Sequence, residues 1–244
     1  MDWVNYLYFP CENAPCPSAL VEAARSVGFS VEDPVTGRIR AARFNVETLD
    51  FDPFEVATVA ELDASGAEPN LTITLFRDGG PIRLHIDPRH IYTATVPEPK
   101  GLSELPCLGH IWFSLGVLSM RADPGQSGLP RALIDLYATL CRQTDALYGY
   151  SDRQIAEETG PTAVAALRAI QAGRAPDGLY WMTYFGGAIA AKLDFAPLRA
   201  LGALVEPSGA GVLVRLTEHP RGDVTVDPRR IYAVWQNHEP RTEP

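Results

Sequence analysis

The sequence predicts an α+β protein of two related half-units, with a mainly antiparallel sheet and flanking helices. Residues 87–92 read Asp-Pro-Arg-His-Ile-Tyr, and residues 227–232 read Asp-Pro-Arg-Arg-Ile-Tyr. Each copy follows a predicted hairpin, over 71–86 in the first half and 212–226 in the second. A repeat of this length indicates a duplicated scaffold. Its tight turns favour antiparallel pairing, because parallel strands need long crossovers.

The first half contains a predicted strand rich in aromatic and β-branched side chains, followed by a helix, further strands and the hairpin. The helix has its apolar residues on one face, and Gly28 is in position to end it. Gly79 and Gly80 supply the positive φ angles of a tight hairpin turn. The predicted strands are residues 3–9, 29–31, 38–46, 54–62, 71–76 and 82–86, and the helix is residues 18–27.

The middle of the chain has a nearly continuous apolar run at 110–120, which predicts a strand buried on both faces. The clearest amphipathic pattern predicts a helix over 129–147. Ser151 and Gln154 form a capping-box pattern that predicts a further helix. The order of the first half then returns, with an aromatic strand, short helices and the second hairpin. We expect half-units at residues 1–108 and 109–244 that form one compact body.

Composition bounds the classes of protein that the chain can represent. Hydrophobic residues make up 46% and charged residues 21% of the 244, as in an ordinary soluble domain. The sequence has no uncharged apolar run of the length that a membrane span needs, and its start is acidic where a secretory signal is basic. We therefore expect a cytoplasmic protein without a membrane partner. The cysteines, residues 11, 16, 107 and 141, are then expected to be thiols without a disulfide.

The sequence shows no catalytic constellation. Ser127 lacks the spacing of a nucleophile elbow, and His85 and His90 lie five apart, which places them on opposite faces of a strand. We predict no catalytic residue, no metal site and no cofactor, and we expect that the chain is not an enzyme. One alternative is an enzyme with a cleft between the half-units, lined by Asp87, Arg89, Asp227 and Arg229.

The charge distribution is uneven. No Lys or Arg occurs from residue 44 to 76, whereas that stretch carries seven acids, and the whole chain has a net charge of −9. Such a segment repels nucleic acid and attracts a basic partner, and its interleaved aromatics favour an interface. The alternative is a solvated acidic face whose aromatics belong to the core. The predicted partner-binding residues are Glu47, Asp50, Phe51, Asp52, Phe54, Glu55, Glu61 and Asp63.

The second half carries a resemblance to a known family. Residues 179–186 read Leu-Tyr-Trp-Met-Thr-Tyr-Phe-Gly, residues 211–217 read Gly-Val-Leu-Val-Arg-Leu-Thr, and residues 219–223 read His-Pro-Arg-Gly-Asp. Together with Leu201-Gly202, this pattern resembles the Immunity protein 52 family and related type VI immunity proteins of bacterial polymorphic-toxin systems. The resemblance implies a non-enzymatic inhibitor, a monomer or homodimer, that binds and occludes a cognate toxin. A scaffold protein of a phage-like particle, which would form stable homo-oligomers, is the other alternative.

Overall fold

The described part of the chain forms one sheet with helices on both of its faces. The computed structural model describes residues 2–45, 47–48, 50–65, 71–77, 80–87, 108–116, 128–153 and 179–217. The strands are β1 (Asp2–Pro10), β2 (Ile39–Asn45), β3 (Asp50–Val56), β4 (Leu71–Arg77), β5 (Gly80–Asp87), β6 (Leu108–Gly116), β7 (Tyr148–Arg153), β8 (Met182–Phe185), β9 (Leu204–Ser208) and β10 (Gly211–Arg215). The helices are α1 (Pro17–Ser26), α2 (Val59–Ser65), α3 (Leu129–Gln143), α4 (Gly187–Ala190) and α5 (Ala196–Ala200), with a 3-10 turn at Cys11–Asn13.

All pairings between these ten strands are antiparallel, in the order β3-β2-β4-β5-β6-β1-β7-β8-β10-β9. The protein is therefore of the α+β class, dominated by its sheet. The described strands do not show two equivalent half-units, since β10 pairs directly with β8 whereas β5 and β6 separate β4 from β1. The division at residues 108 and 109 stays a prediction. The first strand of the predicted second hairpin is β10, which pairs with β8 and β9, whereas residues 218–226 and both Asp-Pro-Arg turns lie outside the described residues, apart from the Asp87 backbone.

One face of the sheet, here called the helical face, carries the main hydrophobic core. Helices α1, α2 and α3 pack their apolar sides on it, with Leu20, Leu62 and Leu133 in one cluster with sheet residues such as Leu7 and Ile73. All five side chains are buried. Burial of this apolar surface is the main favourable contribution to folding.

The opposite face, here called the second face, is covered by α4 and α5 over β7 to β10. Ile189 and Leu198 of these helices form a second cluster with Phe185 and Val214 of the sheet. Over β2 to β6, no helix in the described ranges contributes to a core on the second face. This part of the second face is where a binding site can form.

The structure corrects two predicted elements. The strand expected at 54–62 is the end of β3 followed by α2. Thr58 receives the Glu61 N–H at 3.2 Å and Glu61 accepts the Ala57 N–H at 2.9 Å, so a capping interaction begins a helix where the alternation suggested a strand. Ser151 does not cap a helix but lies in β7, paired with Asn5 on one side and Met182 on the other. Pairing with two neighbouring strands overrides the local capping pattern.

The expectation of cysteines without a disulfide is wrong. Cys11, which directly follows β1, is disulfide-bonded, whereas Cys16 and Cys141 carry free thiols. Cys107 lies outside the described residues. Burial raises the pKa of the Cys141 thiol well above its ordinary value, so this side chain behaves as a small apolar group in the core.

Candidate binding site on the second face

A groove of about 650 Å³ opens on the second face over β2 to β6, and we call it the aromatic groove. Its lining combines small, aromatic and charged side chains from five strands. These residues are Arg40, Ala41, Ala42, Asp50, Phe51, Pro53, Phe54, Glu55, Thr72, Thr74, Pro81, Arg83 and Trp112. Pockets that combine apolar walls with few polar groups are typical of binding sites.

Strand register explains why the aromatic groove forms here. Pro53, Ala42, Thr72, His85 and Trp112 lie directly opposite one another on β3, β2, β4, β5 and β6, and therefore share a face. Two of these side chains, on the middle strands, are small. The floor is therefore low over β2 and β4, between the proline on β3 and the His85 ring on β5.

Ring contacts position Phe51 at the wall of the aromatic groove. Its ring packs against Phe44 with centroids 5.3 Å apart, and edge-on against His85 at 5.6 Å. The His85 ring in turn contacts Trp112 at 5.3 Å, and its Nδ1 is hydrogen-bonded to Thr72 Oγ1 at 2.9 Å. Although Phe51 has these neighbours, 37% of its surface remains exposed. It thus presents an apolar ring to solvent in a defined position.

At one end of the aromatic groove, Glu55 belongs to an ion-pair network. Its carboxylate lies 3.6 Å from Arg38 and 3.5 Å from Arg40, and Arg40 also pairs with Asp33. Asp33 accepts the N–H groups of the turn that follows it, that of Val35 at 2.6 Å and the next at 3.1 Å. These N–H bonds, together with Arg40, lower the pKa of Asp33 below its ordinary value of 3.8. The charge of Glu55 is therefore largely compensated within the protein.

The other exposed acids of the predicted surface also have local partners. Asp52 accepts a hydrogen bond from the Asn45 amide at 2.9 Å, and Asp50 accepts the Phe51 N–H at 2.7 Å. The Glu47 N–H is bound by Asn45 Oδ1 at 2.9 Å in the turn between β2 and β3. Because the carboxylates of Glu47, Asp50 and Asp52 remain exposed, they still contribute negative potential to this end of the sheet.

Three of the eight predicted residues have evident structural roles. Glu61 caps α2, as described above. Asp63 accepts the Ser18 N–H at 2.8 Å, and so provides an acceptor for a backbone N–H in the first turn of α1. Phe54 packs against the main core, with the Arg43 guanidinium 4.9 Å from its ring centroid. The structure thus brings Asp50, Phe51, Phe54 and Glu55 to the aromatic groove, and uses Glu61 and Asp63 as helix caps.

The outer edge of β3 is poorly suited to pairing with another strand. β3 is the last strand at this end of the described sheet, so half of its backbone groups point outward. The Phe51 N–H is bound by Asp50, and Pro53 has no N–H. The Glu55 carbonyl accepts the Arg38 guanidinium at 3.3 Å. A partner is therefore expected to contact the face of the sheet rather than extend it.

We predict that the double variant Asp50→Ala/Pro53→Val self-associates. Asp50→Ala frees the Phe51 N–H at the outer edge, and Pro53→Val adds an N–H at position 53. Light scattering after size-exclusion chromatography should show a concentration-dependent dimer that the parent chain does not form at the same concentration. Asp52→Ala is the matched control, since it removes the same charge without freeing a backbone group of the outer edge. Identical elution of both variants and the parent would show that the edge is not protected in this way.

Sequence reasoning did not find the cationic and aromatic residues that complete the aromatic groove. Arg38 and Arg40 precede the acidic segment in sequence but lie beside it in space, because β2 pairs with β3. Arg83 and Trp112 come from β5 and β6, which follow the acidic segment in the chain. One available signal was the alternation of Thr72 and Thr74 in an otherwise apolar strand, which marks a polar second face.

Within the described ranges, no group of three or more His, Cys, Asp or Glu side chains could bind a metal ion. No helix in those ranges is long and apolar enough to cross a membrane. The cleft alternative depends on Arg89, Asp227 and Arg229, which lie outside the described residues, as does the Asp87 side chain.

Comparison with solved structures gives a likeness that concerns the fold. The chain is structurally similar to the Pseudomonas aeruginosa T6SS protein PA0821, with a TM-score of 0.54 and 13% sequence identity. The alignment covers 96% of this chain and 74% of that protein. No protein-family model matches the sequence, and no curated protein matches it either. The likeness therefore connects the arrangement of the sheet to a protein of a type VI secretion system.

Proposed function

We propose that this chain is an immunity-type protein that binds a cognate effector of a type VI secretion system and neutralises it by non-covalent occlusion. The observation that carries the proposal is the fold likeness to a T6SS protein over nearly the whole chain. The immunity resemblance of residues 179–223 points to the same class. In this proposal the chain acts in the cytoplasm, as a monomer or homodimer and without catalysis.

The aromatic groove and the acidic end of β3 are the proposed contact surface. Phe51 has the features of an interface anchor, since it is aromatic, fixed by neighbouring rings and partly exposed. The exposed carboxylates of Glu47, Asp50 and Asp52 lie at the same end of the sheet, with Asp52 on the opposite face of β3 from Phe51, and would attract a basic effector over long distances. Exposed charges at a rim act mainly on association rate, whereas a buried anchor acts mainly on dissociation.

Charge reversal separates these two contributions. We expect Glu47→Lys/Asp52→Lys to slow association with the effector by about tenfold at low salt, and the difference to shrink as added salt screens the charges. The measurement is stopped-flow or biosensor kinetics with the cognate effector, which this proposal expects to be a toxin-domain protein encoded by a neighbouring gene. Asp50 and Glu55 are left unchanged because their carboxylates also bind the Phe51 N–H and two arginines.

The matched control is Glu12→Lys/Glu22→Lys, which changes the net charge equally at exposed positions on α1 and the turn before it. If both double variants slow association to the same extent, the net charge alone explains the effect. The acidic end of β3 is then not the surface that attracts the effector. If the neighbouring toxin-domain protein neither binds the chain nor loses toxicity when the two are co-expressed, the proposed function is wrong.

A further inference from the structure

Arg83 is a cation of the aromatic groove that has no ion-pair partner among the described residues, and this observation deepens the function proposed above. We propose that the aromatic groove receives a short segment of the protein partner in which an acidic residue follows an aromatic one. Arg83 pairs with the carboxylate, and the aromatic ring packs in the aromatic groove beside Phe51 and Trp112.

Arg83 is a cation without a local counterion. Its side chain is exposed at the lining of the aromatic groove, and among the described residues no carboxylate or hydrogen-bond acceptor contacts it. Arg40, by contrast, pairs with both Asp33 and Glu55. An arginine that is held beside apolar walls and lacks a partner is a suitable donor for a carboxylate.

The acids that line the aromatic groove lie too far from Arg83 to neutralise it. Asp50 and Glu55 are on β3 and Arg83 is on β5, with β2 and β4 between them. Three strand spacings place the backbones of β3 and β5 roughly 14 Å apart. Between Glu55 and Arg83, the register places Arg40 on β2, which is already paired with Glu55, and the uncharged Thr74 on β4. An acid brought by the partner is therefore not repelled at close range.

The apolar walls account for the aromatic residue of the segment. Phe51 exposes 37% of its surface, and the Trp112 ring is half-buried on the other side of the small floor residues. Rings that pack against such side chains contribute most of the affinity at many interfaces. Long-range attraction by Glu47 and Asp52 and short-range pairing by Arg83 are compatible, because they act at different distances and on different rate constants.

Capped dipeptides test this chemistry directly on the full chain. We would titrate N-acetyl-Phe-Glu-amide, N-acetyl-Phe-Gln-amide and N-acetyl-Phe-Lys-amide and follow amide and indole resonances by NMR. We expect shifts at residues of the aromatic groove, with the Glu peptide binding about three- to tenfold more tightly than the Gln peptide and the Lys peptide most weakly. Arg83→Gln should abolish the preference for Glu over Gln and leave the affinity for the Gln peptide unchanged.

Arg199→Gln is the matched control, because Arg199 is exposed on α5, and this variant should keep the preference. Thr74→Tyr, which fills the floor, should weaken binding of all three peptides. Equal affinities for the Glu and Gln peptides, a preference for the Lys peptide, or shifts confined to another surface would overturn the proposal.

These titrations contain no effector, so their failure leaves the neutralisation assay unaffected. Loss of neutralisation with the peptide preference intact would instead remove the proposed function alone.

Discussion

Replacing Phe51 by alanine is expected to weaken binding of the effector by about 30-fold, which corresponds to about 2 kcal/mol. The ring is exposed enough to contact a partner, and Phe44 and His85 fix its position, so little side-chain entropy is lost on binding. The loss should appear mainly as faster dissociation, measured by biosensor kinetics.

Val35→Ala is the control for this prediction. Val35 and Phe51 are the two large hydrophobic side chains with extensive exposure in the described residues, and Val35 lies in the turn after Asp33. Its removal should leave both rate constants unchanged. Urea unfolding of both variants shows whether the Phe51 effect arises from a loss of folding stability. Unchanged dissociation of the Phe51→Ala variant from the effector would show that the aromatic groove is not the contact surface.

Gly149→Ala is expected to lower the free energy of unfolding by about 1–3 kcal/mol, the usual cost of overpacking a core. Gly149 lies in β7 beneath α3, where the Tyr137 hydroxyl donates to the Tyr6 carbonyl at 3.2 Å. A β-carbon at position 149 would overlap the Tyr137 hydroxyl and lie 2.7 Å from the Tyr6 oxygen. Either α3 or the centre of the sheet must then shift.

Urea denaturation of the single and double variants with Tyr137→Phe tests this packing. Removing the hydroxyl relieves part of the overlap, so the two substitutions together should cost less than the sum of their separate effects. Tyr137→Phe alone is the reference variant, since it removes the hydroxyl without adding a β-carbon at position 149. If Gly149→Ala is as stable as the parent chain, α3 does not contact β7 as the structure describes.

Elements with strong local patterns were predictable from the sequence. The amphipathic stretch at 129–147 contains α3, the apolar run at 110–120 overlaps β6, and the hairpin of β4 and β5 is in place. β7 was not predicted, because the sequence Tyr-Gly-Tyr-Ser-Asp-Arg has no strong pattern and becomes a strand only between β1 and β8. The order of the strands depends on such distant pairings, which local periodicity does not encode.

The candidate site was predictable only in part, for a related reason. The run of acids from Glu47 to Asp63 is a property of the sequence, but its effective charge depends on β2, which brings Arg38 and Arg40 beside Glu55. Phe51 lies exposed and Phe54 is half-buried against the core, a difference that is set by the alternation of the strand. The remaining wall of the aromatic groove comes from β5 and β6 and has no local signal near β3.

Site-specific photo-crosslinking tests the central claim most directly. Benzoylphenylalanine would replace Phe51 in the aromatic groove or Glu22, which is exposed on α1 at the helical face, in cells that also produce the neighbouring toxin-domain protein. The account predicts a crosslink to that protein from position 51 and none from position 22. A crosslink from position 22 without one from position 51 would place the partner on the helical face and contradict the account.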